Sequence, residues 1–114
     1  MRFFYDKMPD MECLSGDTLP EFEVDVEVDS GGSLSGCSMQ VIVARSDEPQ
    51  TAVICKSCEQ TESGFTVTLT SEDTSRLGEY SYDIHFRLID PDGNSYRKLF
   101  GRLYVHTAAR GNDI

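Results

Sequence analysis

Tryptophan is missing from this 114-residue chain, histidine occurs only twice, and 10 Lys and Arg face 20 Asp and Glu, a net charge of −10. The shortage of basic residues argues against DNA or RNA as a partner, because neutralising phosphates needs a basic surface. No apolar run approaches the roughly 20 residues of a membrane helix, so no membrane contact is expected. Met1-Arg2-Phe3-Phe4-Tyr5-Asp6 lacks the apolar segment and small-residue cleavage site of a signal peptide, which predicts assembly in a cytoplasm. His85 and His106 stand without a serine elbow or a Cys-His signature. They are expected to face solvent, in a chain that is not an enzyme and needs no cofactor.

What is present begins with four cysteines, Cys13, Cys37, Cys55 and Cys58, which a cytoplasm keeps reduced. Cys55-Lys56-Ser57-Cys58 has the spacing of half a zinc site or of a thiol redox pair. A zinc would need two more ligands, and none of Cys13, Cys37, His85 and His106 forms a second spaced pair. A redox pair would want a helix N-terminus, whereas these residues close a β segment. Ordinary thiols are the expectation, with zinc or redox chemistry at Cys55 and Cys58 as the alternative. The charge is uneven: residues 1–74 hold 4 Lys/Arg and 15 Asp/Glu (net −11), and residues 75–114 hold 6 and 5 (net +1). Such polarity can orient copies head to tail, or simply keep a surface solvated.

Residues 1–15 show no sustained period and read as an extended arm or edge strand, with a turn at Ser15-Gly16-Asp17-Thr18. Phe22, Val24, Val26 and Val28 then alternate with Glu23, Asp25, Glu27 and Asp29, one face for a core and one row of carboxylates. That row either blunts edge-to-edge aggregation or awaits a basic partner. After the Gly/Ser-rich connection at 30–36, Met39 to Ala44 is apolar on both faces, as in a covered central strand. Thr51 to Ile54 is a short strand, and Phe65, Val67 and Leu69 alternate with threonines. Asp90-Pro91-Asp92-Gly93-Asn94 is a hairpin turn; its alternating acids resemble the start of a calcium loop, but the later acidic ligand is missing. The last strand runs from Ser95 to Val105, and residues 107–114 read as a flexible tail.

The chain is organised around Ser71 to Phe86. Ser71-Glu72-Asp73-Thr74 predicts one capped helical turn, Gly78 ends it, and Tyr80, Tyr82, Ile84, Phe86 and Leu88 then share one strand face. A helical turn, a glycine and a tyrosine leading into a long strand suit the tyrosine corner of an immunoglobulin-like sandwich, with Tyr80, Tyr82 and Gly78 critical to the fold. Antibody-type Cys-Trp-Cys is absent. The prediction is an all-β chain: an immunoglobulin-like Greek-key β-sandwich of about seven antiparallel strands with one short helical turn, spanning residues 16–106. On the last strand, Leu99, Gly101, Leu103 and Val105 are placed inward, with Gly101 permitting a bulge. Lys98, Phe100, Arg102 and Tyr104 then form a candidate protein contact on the other face. A register displaced by one residue would turn the two aromatics inward instead.

Several short motifs in this order carry a resemblance: Gly16-Asp17-Thr18, Leu34-Ser35-Gly36-Cys37 before a strand ending at Arg45, and Thr70-Ser71-Glu72-Asp73-Thr74. Leu77-Gly78-Glu79-Tyr80-Ser81-Tyr82-Asp83-Ile84 and Leu99-Phe100-Gly101-Arg102-Leu103-Tyr104-Val105 continue it over about residues 15 to 105. The chain resembles the immunoglobulin-like modules of bacteriophage virion proteins, in particular the N-terminal domain of phage baseplate upper proteins. The resemblance implies a non-catalytic structural subunit of a phage particle, in the tail, baseplate, neck or as capsid decoration. It would be held as a homo-oligomer and by contacts to other virion proteins. Nothing follows residue 114, so the receptor-binding attachment of a baseplate upper protein is not expected. The alternative is an adhesion or carbohydrate-binding module. Lys98, Phe100, Arg102, Tyr104, Glu23, Asp25 and Glu27 are the interface candidates.

Overall fold

The computed structural model describes residues 3–28 and 34–107. In chain order the elements are β1 (Phe3–Phe4), β2 (Met11–Leu14), β3 (Phe22–Asp25), β4 (Glu27–Val28), β5 (Ser38–Arg45), β6 (Ala52–Ser57), β7 (Glu59–Gln60), β8 (Gly64–Val67), α1 (Ser71–Thr74), β9 (Ser81–Ile89) and β10 (Ser95–His106). Among the described residues the structure is all-β apart from α1. One sheet has the order β2-β10-β9-β5-β6 and the other β3-β8-β7, with a β1-β4 ladder beside them. That ladder prolongs the smaller sheet, because Val26, between β3 and β4, donates its N–H to the Ser63 carbonyl at 3.0 Å. Pairing is antiparallel except between β2 and β10, which run parallel, a departure from the all-antiparallel expectation. Asp29 and residues 108–114 lie outside the described residues.

The two sheets share one core because alternate side chains of each point at the other. Val24, Phe65 and Val67 of the smaller sheet join Met39, Val41, Val43, Ile84, Phe86 and Leu88 of the larger in a single buried cluster. On β5 the burial runs without alternation from Val41 to Ala44. Ile42 and Ala44 lie on the outer face yet are 1% and 0% exposed. The reason is the β5–β6 connection: Arg97 of β10, two strands away from β5, donates to the Pro49 carbonyl at 3.0 Å and so draws that connection across the sheet.

The helical turn forms as its residue types dictate, with its cap one position earlier than expected. Thr70, not Ser71, is the N-cap: its hydroxyl accepts from the Asp73 N–H, and the Asp73 carboxylate accepts from the Thr70 N–H, a reciprocal capping box. Thr74, fully buried, donates its hydroxyl to the Asp17 carbonyl at 2.6 Å and accepts from the Gly16 N–H, tying the turn to the Ser15–Thr18 reversal. Past the turn, Tyr82 is 2% exposed and its hydroxyl donates to the Gly78 carbonyl at 3.1 Å. Tyr80 departs from its expected inward place. It precedes β9, is 50% exposed, and lies under the Arg45 guanidinium at 3.8 Å from the ring centre.

The largest correction concerns β10. Residues equidistant from Asp92 pair across the hairpin from Ser95 to Leu99, and then Gly101 pairs with Ile84, leaving Phe100 as an extra residue. A one-residue bulge reverses which parity faces inward. Phe100 is therefore buried at 3% exposure, edge-on to Phe22 and Phe86, rather than on an outer contact face. Leu99, expected inward, is half-buried on the outer side, while Leu103 and Val105 point inward as expected. The N-terminal segment uses the bulge to cross between sheets. Met8 donates its N–H to the Phe100 carbonyl at 3.0 Å, and Tyr5 donates its hydroxyl to the Leu99 carbonyl at 2.8 Å. Met8 fills the space that a Cβ at Gly101 would need.

Stability measured by urea unfolding should separate the two tyrosines. Tyr82→Ala is expected to cost about 3 to 5 kcal/mol and Tyr82→Phe about 1 kcal/mol, for the lost aromatic volume and the lost hydrogen bond. Tyr80→Ala should cost less than about 1 kcal/mol, as an exposed substitution. Equal losses from the two alanine variants would contradict this inside–outside assignment.

Candidate functional site

The outer face of the smaller sheet is acidic because alternation leaves it so. Val24 and Val26 enter the core, which turns Glu23, Asp25 and Glu27 to solvent. Register carries the charge sideways: Glu23 pairs with Thr66, and Thr66 pairs with Glu59. Ser63 donates its hydroxyl to Asp25 at 2.8 Å. Among the described residues, no Lys, Arg or His lies within ion-pair distance of Glu23, Asp25, Glu27 or Glu59. Among the described residues the expected row of Glu23, Asp25 and Glu27 is thus present and carries no ion pair.

The outer face of the larger sheet holds an opposite feature. Arg87 of β9 and Arg97 of β10 are direct cross-strand partners. Like charges placed directly opposite destabilise a sheet. Neither has a carboxylate within ion-pair distance among the described residues; Arg87 donates to the Gln40 side-chain oxygen at 3.2 Å, and Arg97 to the Pro49 carbonyl. His85 lies beside them, half-buried rather than solvent-facing, with its Nδ1 buried and unbonded. Burial, with the Arg97 charge, holds its pKa below the usual histidine value. Neither arginine belongs to the expected contact set. Their pairing was readable once the hairpin was centred on Asp92, since 87 and 97 are equidistant from it.

The remaining expected contact residues are dispersed. Lys98 and Arg102 are exposed, Tyr104 is half-buried, and Phe100 is removed into the core by the bulge. Arg102 is paired with Asp83 at 3.4 Å. Tyr104 instead lines a shallow cleft of about 220 Å³ with Tyr80, Glu79, Ser81, Val105 and His106. His106 contacts the Glu12 carboxylate at 2.9 Å.

Cys55 and Cys58 do not face one another across a common site. Cys55 is exposed and in register with the outer-face Ile42, whereas Cys58 packs against the core. Burial pushes the Cys58 thiol up to about 11, the direction opposite to a redox thiolate or a metal ligand. Burial also raises Cys13 and Cys37. Among the described residues, no group of three or more His, Cys, Asp or Glu is gathered to hold a metal. In the hairpin turn, the Asp90 carboxylate accepts from the Asp92 and Asn94 backbone N–H groups, the Asn94 side chain and the Tyr96 hydroxyl. Burial opposes ionisation of Asp90, but these donors outweigh it and hold its pKa below the ordinary value. Asp73 is likewise lowered: burial raises it, and Lys56 at 2.7 Å together with Thr70 overcomes that.

No protein-family model matches the chain, and no curated protein sequence matches it.

Two outcomes follow from these side chains. Alkylation at neutral pH should modify Cys55 fast and the other three thiols only on unfolding; rapid modification of Cys58 would contradict its packing. Asp73 has its lower pKa in the folded state, so its contribution is present above the unfolded aspartate value and lost as pH falls through the folded one. The stability gap between wild type and Asp73→Asn should therefore be widest near neutrality and close below about pH 4. A gap unchanged by acidification would contradict the Lys56–Asp73 account.

Proposed function

We propose that this chain is a non-catalytic structural subunit of a bacteriophage particle, in its tail, baseplate, neck or capsid decoration, working through contacts with other virion proteins and with its own copies. The reading takes the fold as an immunoglobulin-like Greek-key sandwich. It is supported by the sheet orders β2-β10-β9-β5-β6 and β3-β8-β7, by the N-terminal segment dividing between both sheets, and by the Tyr82–Gly78 hydrogen bond of a tyrosine corner. The observation that carries the functional reading is the pair of outer faces bearing charge of opposite sign with no ion pair among the described residues, Glu23, Asp25 and Glu27 on one and Arg87 and Arg97 on the other. Such charges set register and orientation in protein contacts. The hydrogen-bonded carboxylates Asp73 and Asp90 serve a cap and a turn. Assembly would take place in the host cytoplasm, with the virion as the final location.

A second reading is favoured by one feature: exposed Tyr80 beside the Tyr104 cleft has the form of a small aromatic platform for a sugar ring in an adhesion or carbohydrate-binding module.

The test is quantitative mass spectrometry of density-banded phage particles from the host that makes this chain. Multiple copies per particle, retained through banding, are expected. A chain recovered only in the soluble fraction would overturn the virion reading, and binding of a glycan lost in Tyr80→Ala would favour the second.

A further inference from the structure

Resting on that assembly reading, the geometry points to a specific self-contact: the Arg87–Arg97 pair of one copy receives the Glu23, Asp25 and Glu27 row of a second copy. Copies then stack head to tail through opposite faces of the sandwich. Four observations carry it.

The first is cost within one copy. Arg87 and Arg97 face each other across β9 and β10, an arrangement that disfavours the sheet. The chain contains 20 acidic residues, yet no carboxylate lies within ion-pair distance of either arginine among the described residues. Nearby arginines are treated differently, for Arg45 is paired with Asp47 and Arg102 with Asp83. The second is that the complementary charge is equally unmatched. Glu23, Asp25 and Glu27 are exposed, have no cation within ion-pair distance among the described residues, and recur at every second residue of an extended segment, about 6 to 7 Å apart.

The third is placement. The arginines belong to the β9–β10 outer face and the carboxylates to the outer face of the β3–β8 layer, so one copy cannot satisfy itself across its own core. Two different patches meeting make a heterologous contact, which propagates into a ring or a filament. The fourth is that the arginine side is already positioned. Gln40 holds Arg87 at 3.2 Å and Pro49 holds Arg97 at 3.0 Å, which reduces the ordering cost of docking. The net charge of −10 repels copies at long range, but a Debye length near 8 Å at physiological salt confines that repulsion while leaving close pairs in force.

Complementary charge reversal in the full-length chain tests this. The variant Arg87→Glu/Arg97→Glu and the variant Glu23→Lys/Asp25→Lys/Glu27→Lys are each run by sedimentation velocity over a concentration series, then mixed in equal amounts. Circular dichroism first establishes that each is folded. A control, Arg76→Glu, shifts net charge in the same direction as the arginine reversal, by half as much, at an exposed residue of neither patch. Wild type and control are expected to self-associate alike, each reversal alone to associate at least about tenfold more weakly, and the mixture to recover association. Equal association of wild type and both reversals overturns the charge-matched stack while leaving assembly through another surface intact. Equal loss in the control, a mixture that stays monomeric, or a wild type that is monomeric throughout also overturns the stack. The particle composition measured above independently judges the assembly reading.

Discussion

One extra residue, Phe100, determines much of what this molecule buries and presents. A regular strand would place Arg97 and Arg102, five positions apart, on opposite faces. The bulge puts both outside and sends Phe100 into the core against Phe22 and Phe86. It also exposes the Phe100 carbonyl to Met8 and, with Gly101 lacking a side chain, opens the gap through which the N-terminal segment passes from the smaller sheet to the parallel β2 edge. The core, the N-terminal crossing and the outer charge pattern share this origin.

The other fixed point is the turn between β8 and β9. Thr70 and Asp73 cap each other, Lys56 reaches Asp73 from β6, and Thr74 secures the Ser15–Thr18 reversal. Segments far apart in sequence thus meet on Thr70, Asp73 and Thr74. Tyr82 completes the arrangement by returning its hydroxyl to Gly78. Polar groups here satisfy backbone donors and acceptors that burial would otherwise leave unpaired. This explains why a short helix with little intrinsic stability persists between two strands.

Local chemistry made much of the fold legible in the sequence. Alternation from Phe22 to Val28 revealed both faces of β3 and β4, the unbroken apolar run at Val41–Ala44 revealed a covered strand, and Asp90-Pro91-Asp92-Gly93 revealed the hairpin. The misread positions were decided at long range. Nothing local to Phe100 discloses that Met8 will pair with its carbonyl, and an alternation counted from Gly101 therefore turns the aromatic outward. Tyr80 matches the parity of the Tyr82 face but lies before the strand begins, where Arg45 covers one side of its ring. The candidate contact was half legible: the acidic row stood out by spacing, whereas the Arg87–Arg97 pair emerges only when the hairpin register is known. His85 looked solvent-facing because its strand neighbours are polar, and the β5–β6 connection that lies across this face is invisible to periodicity.

Charge left unmatched among the described residues on two opposite faces is proposed to serve contact between proteins. Under the proposed virion role, footprinting of the particle-bound chain tests this most directly, with carbodiimide for carboxylates and phenylglyoxal for arginines, compared against the free chain. Protection is predicted at Glu23, Asp25 and Glu27 and at Arg87 and Arg97, with Arg45 and Arg102, already paired within the chain, little changed. Protection confined to the Tyr80–Tyr104 cleft, with both charged faces as reactive as in the free chain, would contradict the claim.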